Sequence, residues 1–339
     1  MTETRGLRIA LASRPEGRPN PGNFRLEPIE IPQPGAGEVL LRVLYLSLDP
    51  YMRGRMSAAK SYAAPVEVDA VMEGGTVAEV ITSNDPSLAP GDIVLSFSGW
   101  QTHAIAKAKH LTKLDPQLAP VSTALGVLGM PGFTAYAGLL TIGQPKPGET
   151  LVVAAATGPV GATVGQIARI KGARVVGIAG GEEKRRYMQE TLGFDACLDH
   201  RDPEFVAQLK AACPNGVDIY FENVGGAVWD AVFPLLNTYA RVPVCGLIAQ
   251  YNATSLPAGP DRTPAIMRNV LTRSLTIRGF IQSEFISQRP AFLADMSTWI
   301  REGKVRYRED IVDGLENAPE AFIGLLEGKN FGKLLVKVA

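Results

Sequence analysis

The chain has 339 residues, 46% of them apolar and 20% charged, with Lys plus Arg equal to Asp plus Glu at 34 each. Single cores stop growing at roughly 250 to 300 residues, so two domains are expected, and the apolar content excludes extended disorder. Balanced charge leaves no net field to gather a polyanion, which sets aside nucleic acid and anionic membrane surfaces as partners.

Along the chain, the stretch Met1 to Gly17 offers only Leu7 and Ile9 to Ala12 as an apolar patch, broken by Arg8 and followed by Arg14-Pro15-Glu16. That is too short for a secretion signal, and no later stretch reaches about 18 uncharged apolar residues, so no membrane span and a cytoplasmic location are expected. Gly37 to Tyr45 is an apolar, β-branched run opened by Pro34-Gly35, Gly75 to Ile81 alternates at period two, and Pro90-Gly91-Asp92 turns into Ile93 to Phe97. Short strands at loose spacing up to about residue 125 predict a small β-barrel.

From about residue 126 the rhythm changes. Strands are predicted at Leu151–Ala156, Arg174–Ala179, Ala196–Asp199, Asp218–Asn223 and Arg241–Leu247, alternating with helices at Pro159–Lys171, Glu182–Leu192, Pro203–Ala212 and Ala227–Leu236. Such alternation means βαβ units wound right-handedly on a parallel sheet, an α/β fold. A strand at Leu275–Phe280, a helix at Ser287–Glu302, an amphipathic turn at Ala318–Leu326 and a strand at Lys333–Val338 complete the reading. Cys197, Cys213 and Cys245 form no Cys-x-x-Cys pair, and before Cys197 the domain holds only His103 and His110, so neither a disulfide framework nor a metal site is expected.

Ala156-x-Gly158-x-x-Gly161 follows the first strand of the alternating region and opens its first helix. It matches the dinucleotide fingerprint with alanine in the first glycine position: Gly158 would let backbone approach a pyrophosphate and Gly161 would bring helix and strand together. Thr157, Pro159 and Val160 fill the turn, and Pro159 suits the first helical position because its missing N–H costs nothing there. At the end of the second strand, where NAD binders place an acid for the ribose 2′-hydroxyl, stand Gly180-Gly181, followed by Lys184-Arg185-Arg186. Small residues leave room for a 2′-phosphate and basic ones neutralise it, which favours NADP(H), although a solvated helix face would also account for the basic run.

Leu48-Asp49-Pro50-Tyr51-Met52-Arg53-Gly54, Gly129-Met130-Pro131-Gly132-Phe133-Thr134-Ala135-Tyr136, Gly158 to Gly161, Glu222-Asn223-Val224-Gly225-Gly226, Gln250-Tyr251-Asn252 and Asn330-Phe331-Gly332-Lys333 together carry a family resemblance. In that order they resemble the medium-chain dehydrogenase/reductase superfamily, within it the zinc-free NADPH-dependent double-bond reductases of the prostaglandin reductase and curcumin reductase type. The resemblance implies a chaperonin-10-like β-barrel domain, residues 1–125 completed by the tail 304–339, with a Rossmann doubly wound sheet inserted at 126–303 and substrate held in the interdomain cleft. It further implies cofactor roles for Gly158 to Gly161 on the pyrophosphate, Lys184 on the 2′-phosphate, Asn223, Cys245, Gly246, Tyr251, Phe280, Ile281 and Gln282 along ribose and nicotinamide, and Asn330 from the tail; His200 stands where relatives often carry tyrosine and is expected to reach the 2′-phosphate as well. A homodimer through the strand Leu275 to Phe280 is implied as well.

Without a metal, the expected chemistry is hydride transfer to the β-carbon of an α,β-unsaturated ketone or aldehyde, with a donor for the developing oxyanion. Tyr51 and Tyr251 are the candidate donors, each with packing as the plain alternative; Arg53 and Arg55 either orient an acidic substrate tail or are solvated loop arginines. Two other functions fit the same cofactor site, an NADPH quinone reductase and a low-turnover NADPH-binding sensor or structural protein.

Overall fold

A computed structural model describes residues 5–339; residues 1–4, where the leader reading and the N-terminal domain begin, lie outside the described residues. The chain divides into two compact units, one running to Gly126 and resuming at Glu309–Ala339, the other Val127–Arg308.

In the first unit β1 (Arg5–Leu11) and β2 (Phe24–Glu30) form an antiparallel pair, and β3 (Glu38–Ser47), the short helix α1 (Met52–Arg55), β4 (Thr76–Ser83), β5 (Ile93–Ser96), β6 (His103–Lys107) and β7 (Thr112–Leu114) follow. In the second, strands β8 (Thr150–Ala154), β9 (Arg174–Ala179), β10 (Ala196–Asp199), β11 (Val217–Phe221), β12 (Leu236–Val244) and β13 (Thr276–Gly279) alternate with helices. These helices are α2 (Met130–Gly138), α3 (Pro159–Ile170), α4 (Glu182–Glu190), α5 (Phe205–Ala212), α6 (Gly226–Val232), α7 (Thr263–Thr272) and α8 (Arg289–Arg301). The tail returns to the first unit as β14 (Glu309–Asp313), α9 (Ala318–Leu326) and β15 (Lys333–Lys337).

The first unit's larger sheet runs β14-β15-β3-β4-β5-β7, with β6 also paired on β3. The tail therefore completes the N-terminal domain in hydrogen bonds: Leu335–Lys337 run antiparallel to Tyr45–Ser47. Its core gathers Trp100, stacked on Phe24 at 5.6 Å and met edge-on by Phe322 of α9 at 5.7 Å. Trp100 and Phe133 are fully buried, so both aromatics serve packing. One ion pair lies in this interior. Lys333 Nζ donates to Asp49 Oδ1 and to the Leu48 carbonyl, each at 2.8 Å, and the Ser47 hydroxyl donates to Asp49 Oδ2.

The second unit's sheet has the order β10-β9-β8-β11-β12-β13, every adjacent pair parallel. Counted within the unit this is 3-2-1-4-5-6, the doubly wound order, whose switch point lies between its first and fourth strands at their carboxyl ends. All of β8 is buried, as a central strand covered on both faces must be. Helix α3 lies close because it is glycine where it touches: a Cβ on Gly165 would stand 2.2 Å from the Phe194 ring. Residues 304–308 pack with this unit. The side-chain oxygen of Gln166 accepts from Arg306 N at 2.7 Å while its nitrogen donates to the Arg306 carbonyl at 2.9 Å.

Helix α6 stops at Val232, short of the Leu236 predicted, because Pro234 cannot donate within an α-helix; a single 3-10 turn replaces its end and β12 begins at Leu236. Among the described residues the single-turn α1, and the longer α2 and α7, lie in segments where no helix is expected from the sequence. Helix α2 is hydrophobic all round, with no polar face to mark its period, and α7 buries none of its residues.

Candidate cofactor and active site

The turn after β8 is tight, and the residue carrying the left-handed backbone is Ala155, with φ 51°; Ala156, aligned with the first fingerprint glycine, lies one position further and is fully buried. The Ala155 carbonyl accepts from Gly158 N at 2.9 Å, closing the loop on itself. Gly161 must be glycine: a Cβ there would stand 2.4 Å from the Ala155 oxygen and 2.9 Å from backbone carbons of Ala155 and Ala156. Gly158 has extended backbone, φ −71° and ψ 166°, and a Cβ on it would meet only the Ala155 oxygen, at 3.3 Å. So Gly161 serves the fold, whereas Gly158 leaves open space on the outer side of the turn. Pro159 occupies the first turn of α3, and among the described residues no side chain caps that helix. Its first N–H groups, Val160 and Gly161 included, are thereby left for an anion. Thr157 is buried beside them.

A second turn follows β9. Gly181 has φ 100° and donates to Asp199 Oδ2 at 2.8 Å; Arg201 N donates to Asp199 Oδ1 at 2.9 Å. One carboxylate thus ties the end of β9 to the end of β10. Gly180 lies beneath side chains of the turn after β10: a Cβ on it would stand 2.7 Å from Arg201 Nε and 2.9 Å from His200 Cε1. Lys184 lies half-buried in α4, while Arg185 and Arg186 are exposed and Arg185 pairs with Glu182 at 2.6 Å. The His200 ring is exposed in area yet crowded. Lost solvation first, then Arg201, holds its pKa below the ordinary imidazole value, with Lys184 adding and Asp199 opposing.

At the end of β11, Asn223 Nδ2 donates to the Ala154 carbonyl at 2.8 Å, joining the two central strands at the switch point. Fully buried Glu222 accepts from Val224 N and Gly225 N through Oε1, at 2.5 and 2.8 Å. Its Oε2 lies beside the Tyr220 hydroxyl without a well-aligned hydrogen bond, and burial pushes the Glu222 carboxyl above its ordinary range. The N–H groups of Cys245 and Gly246 donate to the Glu222 carbonyl at 2.9 and 3.2 Å. The Tyr251 hydroxyl lies over this loop, accepting from Leu247 N at 3.4 Å, and a Cβ on Gly246 would come within 3.1 Å of it. Burial raises the Cys245 thiol to about 12, which leaves it no thiolate character. The Phe280 ring packs into the core against Phe221 and Phe285, so only its backbone remains for a ligand. Ile281 is partly exposed, and Gln282 Oε1 is a buried acceptor with no hydrogen bond. An unfilled cradle at Gly158, an uncapped helix, and an unsatisfied amide oxygen fit a dinucleotide phosphate with a polar head.

In the first unit Tyr51 opens α1 and is half-buried. Burial first, then the charges of Asp49 and Glu73, push its hydroxyl well above the ordinary phenol value, so it stays protonated. Arg53 and Arg55 are 6% and 5% exposed, which overturns the solvated-loop reading. Arg53 donates to the Gly17 carbonyl at 2.7 Å, whereas the Arg55 guanidinium lies between the rings of Tyr51 and Tyr62, at 5.5 and 4.5 Å. Asn330 donates to the Gly332 carbonyl at 2.9 Å, holding the turn into β15. The sequence reading passed over Asp199, Arg201 and Glu222 as site residues. Asp199 and Arg201 flank His200 in sequence, but only the fold shows that they close over Gly180.

Among the described residues no three His, Cys, Asp or Glu side chains are grouped to hold a metal ion, and no helix is long and apolar enough to cross a membrane. A family model described as the N-terminal domain of oxidoreductase matches residues 7–114, and one described as zinc-binding dehydrogenase matches residues 159–298. The chain is 60% identical to the NADPH-dependent curcumin reductase of Escherichia coli over 99% of its own length and 97% of that protein's. It is 43% identical to prostaglandin reductase 1 of Rattus norvegicus, over 95% and 96%. The crystal structure of CurA in complex with NADPH from Vibrio vulnificus superposes with a TM-score of 0.96 at 58% identity, covering 98% of this chain and 99% of that one.

Proposed function

From the premise that this chain belongs to the medium-chain dehydrogenase/reductase family, in the branch of the curcumin and prostaglandin reductases, we propose that it reduces the C=C bond of α,β-unsaturated ketones and aldehydes with NADPH. The observation that carries this reading is 60% identity to an NADPH-dependent curcumin reductase over a stretch covering 99% of the chain. The glycine turn and the basic surroundings of Gly180 support it. NADPH, when bound, supplies the hydride that reaches the β-carbon of the enone.

The turn from Thr157 to Gly161 binds the pyrophosphate through backbone N–H groups at the start of α3. Gly180, Lys184 and His200 receive the 2′-phosphate, and Asn223, Cys245, Gly246, Phe280, Ile281, Gln282 and Asn330 line the remainder of the dinucleotide. Electron density moves onto the substrate carbonyl oxygen as the hydride arrives, and a phenol donating a hydrogen bond there stabilises the enolate. Tyr51 suits that task because its raised pKa keeps the proton on oxygen. Tyr251 is the second donor, since accepting from Leu247 N occupies a lone pair of its oxygen and not its O–H hydrogen. Protonation at the α-carbon, with the proton replaced from water, completes the reduction. The protein acts in the cytoplasm as a homodimer paired through the exposed edge strand β13.

The test follows NADPH absorbance with purified protein and a panel of enones, enals, quinones and secondary alcohols. Turnover with enones and enals is expected. Reduction of NADP by alcohols with enones inert overturns the reading, and turnover of quinones alone assigns a quinone reductase instead. Tyr51→Phe and Tyr251→Phe then separate the donors: the variant with lowered kcat marks the donor, and unchanged kcat in both removes the pair from the mechanism.

A further inference from the structure

Around Gly180 the structure places one cation that the proposed function does not use. Arg201 follows β10, its guanidinium over Gly180 with Nε 2.7 Å and Cζ 2.8 Å from where a Cβ would be. The backbone beneath is fixed at both ends by one carboxylate, Asp199 Oδ2 taking Gly181 N and Oδ1 taking Arg201 N. With both oxygens occupied by backbone, Asp199 is a positioning residue for the two turns.

We propose that Arg201 is a further specificity residue, binding the 2′-phosphate of the dinucleotide from above Gly180, and that position 180 is glycine because the Arg201 side chain needs that space. The proposal rests on the NADPH reading of the same turn and adds a ligand to it. A guanidinium presents two parallel N–H donors to a phosphate, a fork that a lysine cannot reproduce. Its planar face can lie on a glycine backbone, whereas any side chain at 180 would lift it. Beyond the lost solvation of the ring, Arg201 and then Lys184 of α4 each disfavour the charged form of the His200 imidazole, which marks a local concentration of positive charge. A dianionic 2′-phosphate relieves that repulsion; the neutral 2′-hydroxyl of NADH does not.

The test is calorimetric binding of NADPH, NADH and the fragment 2′,5′-ADP to the full-length protein and to Arg201→Ala, Arg201→Lys and Gly180→Ala, with no substrate present. Arg201→Ala should bind NADPH and 2′,5′-ADP about tenfold more weakly while NADH changes less than about twofold, and Arg201→Lys should recover only part of the loss. Gly180→Ala should mimic Arg201→Ala, because its Cβ displaces the guanidinium, at unchanged melting temperature. Wild-type affinity of Arg201→Ala for 2′,5′-ADP, with NADPH still preferred over NADH, overturns the role of Arg201 and leaves the NADPH reading standing. Equal affinity of the unaltered protein for NADPH and NADH overturns both.

Discussion

Gly158 and Gly161 stand three residues apart in one fingerprint, yet alanine at the two positions should fail in opposite ways. At Gly161 the new Cβ would lie 2.4 Å from the Ala155 oxygen, while ordinary contact begins near 3.4 Å, so turn and helix must part by about 1 Å. The obstacle is backbone on three atoms, with no flexible side chain to swing away, and overpacking of that kind costs about 1–3 kcal/mol. For a unit of this size that lowers the melting temperature by roughly 2–12 °C. At Gly158 the backbone is already extended and the Cβ meets one atom at 3.3 Å, so Gly158→Ala should melt within about 1–2 °C of the parent protein. Its methyl group nonetheless stands on the outer side of the turn, where a pyrophosphate must touch the main chain, and NADPH affinity should fall about tenfold or more. Calorimetric melting and NADPH titration of both variants make the comparison. Gly161→Ala melting with the parent refutes the account of the turn, and Gly158→Ala binding NADPH with parental affinity refutes its use as a phosphate cradle.

Other outcomes follow from buried charge. Asp49→Asn should cost about 3–5 kcal/mol, because it strands the Lys333 ammonium in the interior, whereas Asp49→Leu with Lys333→Met should recover much of that; a double-mutant cycle in urea measures the coupling. Burial raises the Glu222 pKa in the folded state, so its protonated form favours folding and that stability is lost as pH rises through the folded value. Glu222→Gln keeps the acceptor for Val224 and Gly225, so the variant should gain stability relative to the parent on going from pH 5 to pH 8, read from melting temperature against pH. Because the Tyr51 hydroxyl is pushed well above the ordinary phenol value, a kcat profile should show no alkaline limb near pH 10 that Tyr51→Phe abolishes.

The inserted sheet was legible because its strands are apolar runs divided by helix-period segments, and all-round burial is what a central parallel strand requires: β8 reads Thr-Leu-Val-Val-Ala and is buried throughout. The fingerprint was legible as spacing, but its tight turn was not, since Ala155 takes the left-handed conformation that the pattern assigns to glycine at 156. No local rule predicts a non-glycine there; the Ala156 N–H bond to the Ile178 carbonyl and the seating of Gly161 on the turn compel it. Helix α7 does carry a period, Ile266 and Val270 standing one turn apart and half-buried against the core, but with no residue fully buried its stripe is too narrow to separate it from a loop by sequence. Long-range pairs were beyond reach as well. Lys333 and Asp49 lie 284 residues apart in the chain and meet only when the tail joins β3. Of the two readings of Arg53 and Arg55, the solvated loop rests on charge predicting exposure, whereas the first unit buries both and sets Arg55 against two tyrosine rings and an acid, Glu73, 3.4 Å away.

The central claim is that the hydride goes to carbon β to a carbonyl. Incubating the purified protein with an enone and NADPH deuterated at the transferring C4 position, then locating the label by NMR, tests it in one step. The account predicts a saturated ketone bearing one deuterium on its β-carbon. Deuterium on the carbonyl carbon of an allylic alcohol would contradict it.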